Sequence, residues 1–301
     1  MPAEQSELRD LLEAHSLDLE TLRKICWHGI PDEHRAECWR LLLGYAPPIK
    51  ARRSAVLQQK RLEYERLLEE HRDVLLKGDT ATLHQIDIDL VRTFLEPQYS
   101  RLVLRRILFC WAIRRPASGY VQGLNDLLVP FIRVFCNGGE LEGEADAYWC
   151  FTLFLEPLQD CYTEGQPGIH KLIARFRLVL GSLDLKLLHH LESRLELNPL
   201  HFAFRWMNCL LLREFPPNLH LHLFDAYQSS SNVLAEIHVF VCVGLVMRLA
   251  PRLSRIRDFS EALLLLQNMP TQDWKQQDLE LLLSEAWLYR LWYRTHFPQT
   301  N

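Results

Sequence analysis

The stretch from Tyr99 to Phe135, YSRLVLRRILFCWAIRRPASGYVQGLNDLLVPFIRVF, decides the fold class. Its first part, Tyr99–Arg115, has apolar residues at helical spacing and is closed by Pro116, which cannot continue a helix. A short polar turn with two glycines follows. Tyr120–Phe135 then reads as a second apolar helix, with a kink or break expected near Pro130.

The same pattern extends in both directions. Upstream, a helix over Leu17–Trp27 stops at Gly29. A second, Glu33–Leu43, has Pro31 near its start, where the missing N–H costs little, and stops at Gly44. A long polar helix over Ser54–Lys77 places Leu57, Tyr64, Leu67 and Leu68 on one face and ends at Gly78. Downstream, Ala145–Phe154, Gly168–Leu180, Leu185–Leu195, Phe202–Glu214, Leu219–Tyr227, Leu234–Leu249, Phe259–Gln267 and Leu279–Phe297 all read as helices. Turn signals separate them at Gln166–Gly168, Asn198-Pro199, Pro216-Pro217, Ser229–Ser231, Pro251 and Pro270. No period-two run is long enough for a sheet, so the class is all-α. No fixed period supports a solenoid. Asn137–Gly143, with Gly138-Gly139, is the expected surface loop, and the Thr163–Gly168 turn is the expected boundary between two lobes.

The chain has 301 residues, 48% hydrophobic and 24% charged, which is globular composition and excludes disorder as its main state. A net charge of -4 removes the basic footprint of a nucleic-acid binder. None of the eight cysteines forms a C-x-x-C pair, and several lie in apolar runs, so reduced core thiols are expected. The acidic N-terminus, without an apolar core, does not read as a signal peptide. Val233–Ala250 is interrupted by Glu236, His238 and Arg248, which argues for a buried helix over a membrane span.

Few groups stand out chemically. Asp89 and Arg92 are one helical turn apart, and a carboxylate there can hold a guanidinium; the same spacing fits a surface ion pair of negligible worth. In Pro116–Asp126, glycines permit close backbone approach, and Gln122 lies near the positive end of a helix dipole; a merely well-capped helix start fits too. His220-x-His222 and His189-His190 have the wrong spacing for metal ligands on a helix. Arg101, Arg105, Arg106, Arg114 and Arg115 form a basic cluster, either a solvated face or a surface for an acidic partner. No Walker loop, G-x-S-x-G or H-E-x-x-H is present.

The order of these signals is more specific than any one of them. Gly29-Ile30-Pro31, Arg35, Trp39 and Leu42-Leu43-Gly44, then Ile86-x-x-Asp89-x-x-Arg92, Ser118-Gly119-Tyr120-Val121-Gln122-Gly123, Phe204-Arg205-Trp206 and Leu212-Arg213-Glu214-Phe215-Pro216 together resemble the TBC domain of Rab GTPase-activating proteins. The resemblance covers about Leu22 to Phe297. One departure is Leu223-Phe224-Asp225, where members usually have Trp in the middle; Phe keeps an aromatic plug and loses an N–H donor. Ala112–Tyr120 and Tyr148-Trp149-Cys150 are similar to a Golgi-associated branch.

The resemblance implies an all-α, two-lobed, V-shaped domain over residues 22–297, with a separate segment 1–21, a tail 298–301 and a lobe boundary near 163–168. It implies that Arg92 and Gln122 are supplied in trans to a GTP-bound Rab, with Asp89, Tyr120, Gly123, Asn125 and Arg205 in support. Asp89 would hold Arg92 before the partner arrives. No cofactor of its own is expected, since GTP and Mg²⁺ travel with the Rab, and no independent catalytic activity. A cytoplasmic place of action, peripheral at Golgi or other trafficking membranes, would follow. A non-catalytic Rab-binding scaffold on the same fold is the alternative.

Overall fold

A computed structural model describes residues 2–137, 141–230 and 234–297. Gly138 and Gly139 of the expected 137–143 loop, Ser231 and the 298–301 tail lie outside the described residues, while Gly143 falls within a helix. The helices in chain order are α1 (Pro2–Glu13), α2 (Leu19–Cys26), α3 (Asp32–Leu42), α4 (Lys50–Glu70), α5 (Arg72–Lys77), α6 (Ala81–Arg92), α7 (Arg101–Ile113), α8 (Leu124–Phe135), α9 (Leu141–Leu155), α10 (Pro167–Leu183), α11 (Leu185–His189), α12 (Leu200–Asn208), α13 (His220–Ser229), α14 (Leu234–Leu253), α15 (Phe259–Gln267) and α16 (Gln276–His296). No strand occurs among the described residues; an isolated antiparallel bridge joins Ser16 to Ile49. The class is all-α.

The chain divides into two compact units: Met1–Gly165 with Phe224–Ser231, and Gln166–Leu223 with Asn232–Asn301. In the first unit the apolar α8 supplies the centre of the core. The Phe131 ring meets Trp39 at 5.3 Å, Phe154 at 5.5 Å and Phe151 at 5.8 Å. Phe224 stacks on Phe154 at 5.1 Å, so it fills its place as an aromatic plug. The next residue, Asp225, is fully buried. It accepts from Trp39 Nε1 (2.7 Å), Ile30 N (3.0 Å) and Arg35 Nε (3.2 Å). Burial pushes its carboxyl up, to about 7, against the opposing pull of Arg35 and the two N–H donors. The opening motif residues Ile30, Arg35 and Trp39 thus meet on one buried carboxyl from late in the chain.

Residues 1–21, read as a separate segment, fold into this unit. Leu8, Leu12 and Leu17 are buried, and Arg53 Nη1 donates to the Leu12 carbonyl at 3.1 Å. Their acidic residues mask, in sequence, an apolar spacing of i, i+4. Four arginines of the basic cluster at and after α7 have partners within this unit. Arg105 binds Asp87 (2.7 Å) and Arg106 binds buried Glu144 (2.8 Å), while Arg114 and Arg115 lie over the rings of Trp149 and Trp111.

Several boundaries shift for local reasons. The long helix expected over 54–77 breaks at His71, whose φ of -111° and ψ of 12° leave the helical basin. The second apolar helix starts at Leu124 instead of Tyr120, because Gly123 adopts φ 108°, which a side chain rarely tolerates. The expected Phe202–Glu214 helix ends at Asn208, as buried Leu210 and Leu211 take positive φ. Pro130 and Pro251 remain inside α8 and α14.

The second unit is built on α14, which packs against α10, α12 and α16. By length and composition α14 would pass for a membrane span, with hydropathy 1.7, but 61% of that window is buried in the protein. His238 lies fully buried on it, hydrogen-bonded to the Trp206 carbonyl at 3.1 Å, and burial pushes its pKa down to about 3. Phe176, Phe202 and Trp206 pack edge to face beside it. All eight cysteines are free and seven are buried.

Candidate functional site

Helix α6 starts at Thr80, whose hydroxyl accepts from Leu83 N at 3.2 Å, and buries Leu83, Ile86, Asp89 and Leu90 against its neighbours. Its last residue is Arg92. Thr93 then leaves in extended conformation, φ -73° and ψ 126°. Three hydrogen bonds pin this exit. The Thr93 hydroxyl donates to the Asp89 carbonyl (2.9 Å) and accepts from Asn125 Nδ2 (2.9 Å), and Arg101 donates to the Leu90 carbonyl, one of those a helix end leaves unsatisfied.

Asp89 is 3% exposed and is the hub of the cluster. The Tyr120 hydroxyl donates to it at 2.9 Å and Gln122 Nε2 at 3.3 Å, with Gln85 Nε2 at 3.5 Å. Burial, and then the adjacent Asp89 charge, push the Tyr120 phenol well above its ordinary pKa, so it stays a hydrogen-bond donor. Asn125, buried at the start of α8, accepts from Gly123 N at 3.0 Å and lies 3.3 Å from the Tyr120 hydroxyl. Gly123 is required at the turn by its φ of 108°. One buried network therefore ties the end of α6 to the start of α8 and holds the exposed Gln122 by its amide nitrogen.

Arg92 is exposed, and its guanidinium makes no hydrogen bond or ion pair among the described residues. The expected Asp89–Arg92 contact is not formed. Asp89 faces the interior, where Tyr120 and Gln122 take its oxygens, while Arg92 closes the helix on the solvent side with exposed Val91 and Phe94 as neighbours. Arg205 also departs from expectation. It belongs to the second unit, where it binds Glu214 through two nitrogens at 2.8 Å and the Gln267 carbonyl at 2.6 Å. Burial raises the Glu214 pKa against the pull of Arg205, as in a structural ion pair. Thr93 was not singled out in the sequence, and Arg101 was read only as one of a basic cluster. A lone Thr after a helix and one Arg among five carry no spacing signal.

Among the described residues no group of three His, Cys, Asp or Glu is placed to hold a metal. His220 contacts the Phe215 carbonyl and His190 the Ile256 carbonyl.

The network makes a direct expectation for stability. Asp89→Ala leaves the part-buried Tyr120 hydroxyl with only its longer contact to Asn125 and removes the acceptor of Gln122, and should cost about 1–3 kcal/mol. In denaturant titrations Asp89→Ala and Tyr120→Phe should be markedly non-additive, since they break the same contact. Additive losses would show that the two residues do not act together.

The chain is 40% identical to TBC1 domain family member 22A of Macaca fascicularis, over 95% of this chain and 61% of that protein. It is 36% identical to GTPase-activating protein gyp1 of Schizosaccharomyces pombe, over 94% of this chain and 60% of that one. It therefore spans about three fifths of the length of these curated relatives. Its fold matches the crystal structure of the Ypt/Rab-GAP domain of Gyp1p with a TM-score of 0.85 and 36% identity, covering 97% of this chain and 99% of that one. The model of the Rab-GTPase-TBC domain matches residues 32–253, a span that holds the whole Asp89 network and Asp225 with Arg35 and Trp39, and the chain belongs to the Rab-GTPase-TBC domain family.

Proposed function

We propose that this chain is a GTPase-activating domain that accelerates GTP hydrolysis by a Rab-family GTPase, presenting Arg92 and Gln122 in trans. One observation carries the reading: an exposed guanidinium with no hydrogen bond or ion pair among the described residues ends α6, and the buried carboxyl one turn earlier anchors an exposed glutamine amide. A surface arginine without a local partner is free to take one from another molecule.

The chemistry follows from the groups. Phosphoryl transfer to water spreads negative charge over the phosphoryl oxygens. Arg92 brings a planar, permanently charged fork that can bridge two of those oxygens. Gln122 offers both donor and acceptor on one amide, suited to orienting the attacking water. Asp89 positions Gln122 and not Arg92. GTP and Mg²⁺ belong to the substrate GTPase, and the chain needs no cofactor of its own. The place of action on this reading is the cytoplasmic face of a trafficking membrane, the Golgi among them.

The test is phosphate release from a panel of GTP-loaded Rabs with wild-type chain and with Gln122→Ala. Gln122→Ala should lower stimulation at least about tenfold, or 1.4 kcal/mol of transition-state stabilisation. A Rab whose own switch glutamine is replaced by alanine should still respond to the wild-type chain and fail with Gln122→Ala. If the Rab's glutamine proves indispensable and Gln122 dispensable, the glutamine assignment fails. Binding of GTP-loaded Rabs without any stimulation would instead favour the scaffold reading.

A further inference from the structure

Helix α16 has two faces of different character. Leu279, Leu282, Leu283, Ala286 and Arg290 are buried against the second unit. On the opposite side Leu281, Trp287, Leu288, Leu291 and Trp292 are each between 36% and 63% exposed. At 100° per residue these five, with Ser284 and Thr295, occupy one stripe about 140° wide, running four turns along the helix. Such side chains present on the order of 200 Å² each, so the stripe leaves roughly 500 Å² of contiguous apolar surface in water, above the size of the scattered patches normal for a monomer.

The geometry points to a second copy of this chain as the occupant of the stripe, packed antiparallel through α16 about a two-fold axis near Leu288. Three observations favour this partner. Two such stripes would withdraw about 1,000 Å² of apolar surface, the threshold for a specific interface before the polar rim is added. Charge along the stripe's edges is polar in sequence: Glu280 and Glu285 flank its first half, and Arg294 and His296 its last turn. Antiparallel pairing brings Glu280 near the other copy's Arg294, which also binds Glu236 within its own chain, and opposes the helix dipoles. Parallel pairing would set Glu against Glu. Finally, the anchors are already ordered. Trp287 lies 5.0 Å from the Arg290 guanidinium and Trp292 stacks on His296 at 4.7 Å, which reduces the entropy lost on docking.

An anionic membrane surface fits less well. Interfacial helices carry Lys and Arg on the polar face. Here Asp278, Glu280, Glu285 and Glu236 balance Arg175, Arg248, Arg290 and Arg294, most of them in mutual ion pairs.

The test is sedimentation velocity over roughly 1–100 μM chain, the range of a weak transient interface. The wild-type chain should self-associate to a dimer. Leu288→Glu should raise the dissociation constant at least tenfold without lowering Tm, whereas Leu178→Glu, exposed on α10, should change nothing. Leu288→Cys, next to the axis, should form an interchain disulfide under mild oxidation, and Leu178→Cys should not. A wild-type chain that stays monomeric across the range overturns the proposal, as does a dimer indifferent to Leu288→Glu. So does a monomer that instead binds vesicles of phosphatidylcholine and phosphatidylserine through the same residues. None of these readouts involves a GTPase, so they stand or fall apart from the activating function.

Discussion

Arg92→Ala is expected to abolish nearly all stimulation of GTP hydrolysis while leaving the protein as stable as before. An arginine supplied in trans contributes on the order of 10³–10⁵ in rate, or about 4–7 kcal/mol. Removing it should return the Rab close to its intrinsic rate. Arg92→Lys should not rescue, because an ammonium is a point charge without the planar fork. The structure adds the second half of the expectation. Arg92 is exposed and makes no intramolecular hydrogen bond or ion pair among the described residues, so its loss should shift unfolding by no more than about 0.5 kcal/mol. Single-turnover hydrolysis and denaturant titration on the same preparations read both. Near-full stimulation by Arg92→Lys would show that the assignment is wrong. A large loss of stability in Arg92→Ala would show that the residue has a structural role.

The opposite profile is expected at Asp225. Its carboxyl is fully buried and accepts from Trp39, Ile30 and Arg35. Asp225→Ala leaves the Trp39 and Ile30 N–H donors unpaired and the buried Arg35 guanidinium with only Asp32 and the Ile30 carbonyl. Breaking one side of a buried ion pair typically costs about 3–5 kcal/mol, a third or more of the stability of an ordinary domain. Little soluble protein is expected from this variant. Asp225→Asn keeps the shape and one acceptor oxygen, and turns an amide donor toward the existing donors. It should fold with a clearly lowered denaturant midpoint and an unchanged slope, since only the native state is affected. A midpoint equal to wild type in Asp225→Asn would show that the carboxyl's charge contributes nothing to the unit.

Reading the sequence singled out Arg92 and Gln122 and misassigned the contact beneath them. Asp89 and Arg92 share a helical face by spacing, and that inference neglected burial. A carboxyl at 3% exposure takes whatever donors the neighbouring element provides, and α8's approach provides Tyr120 and Gln122. Arg205 sits in a family-like motif, and motif membership did not separate a reactive position from a structural one. Its partners Glu214 and Gln267 lie 9 and 62 residues away, and no local pattern joins the three.

Helical class and most helix positions were determined by the sequence alone. Apolar spacing, glycine and proline punctuation and motif order are local quantities, and each is settled within a few turns of chain. Which polar groups meet in the core was decided only by the tertiary structure. Asp225 finds Ile30 across 195 residues, and Asn125 finds Thr93 across 32. A buried carboxyl or amide must find partners wherever close packing brings donors, and that depends on the whole arrangement of helices.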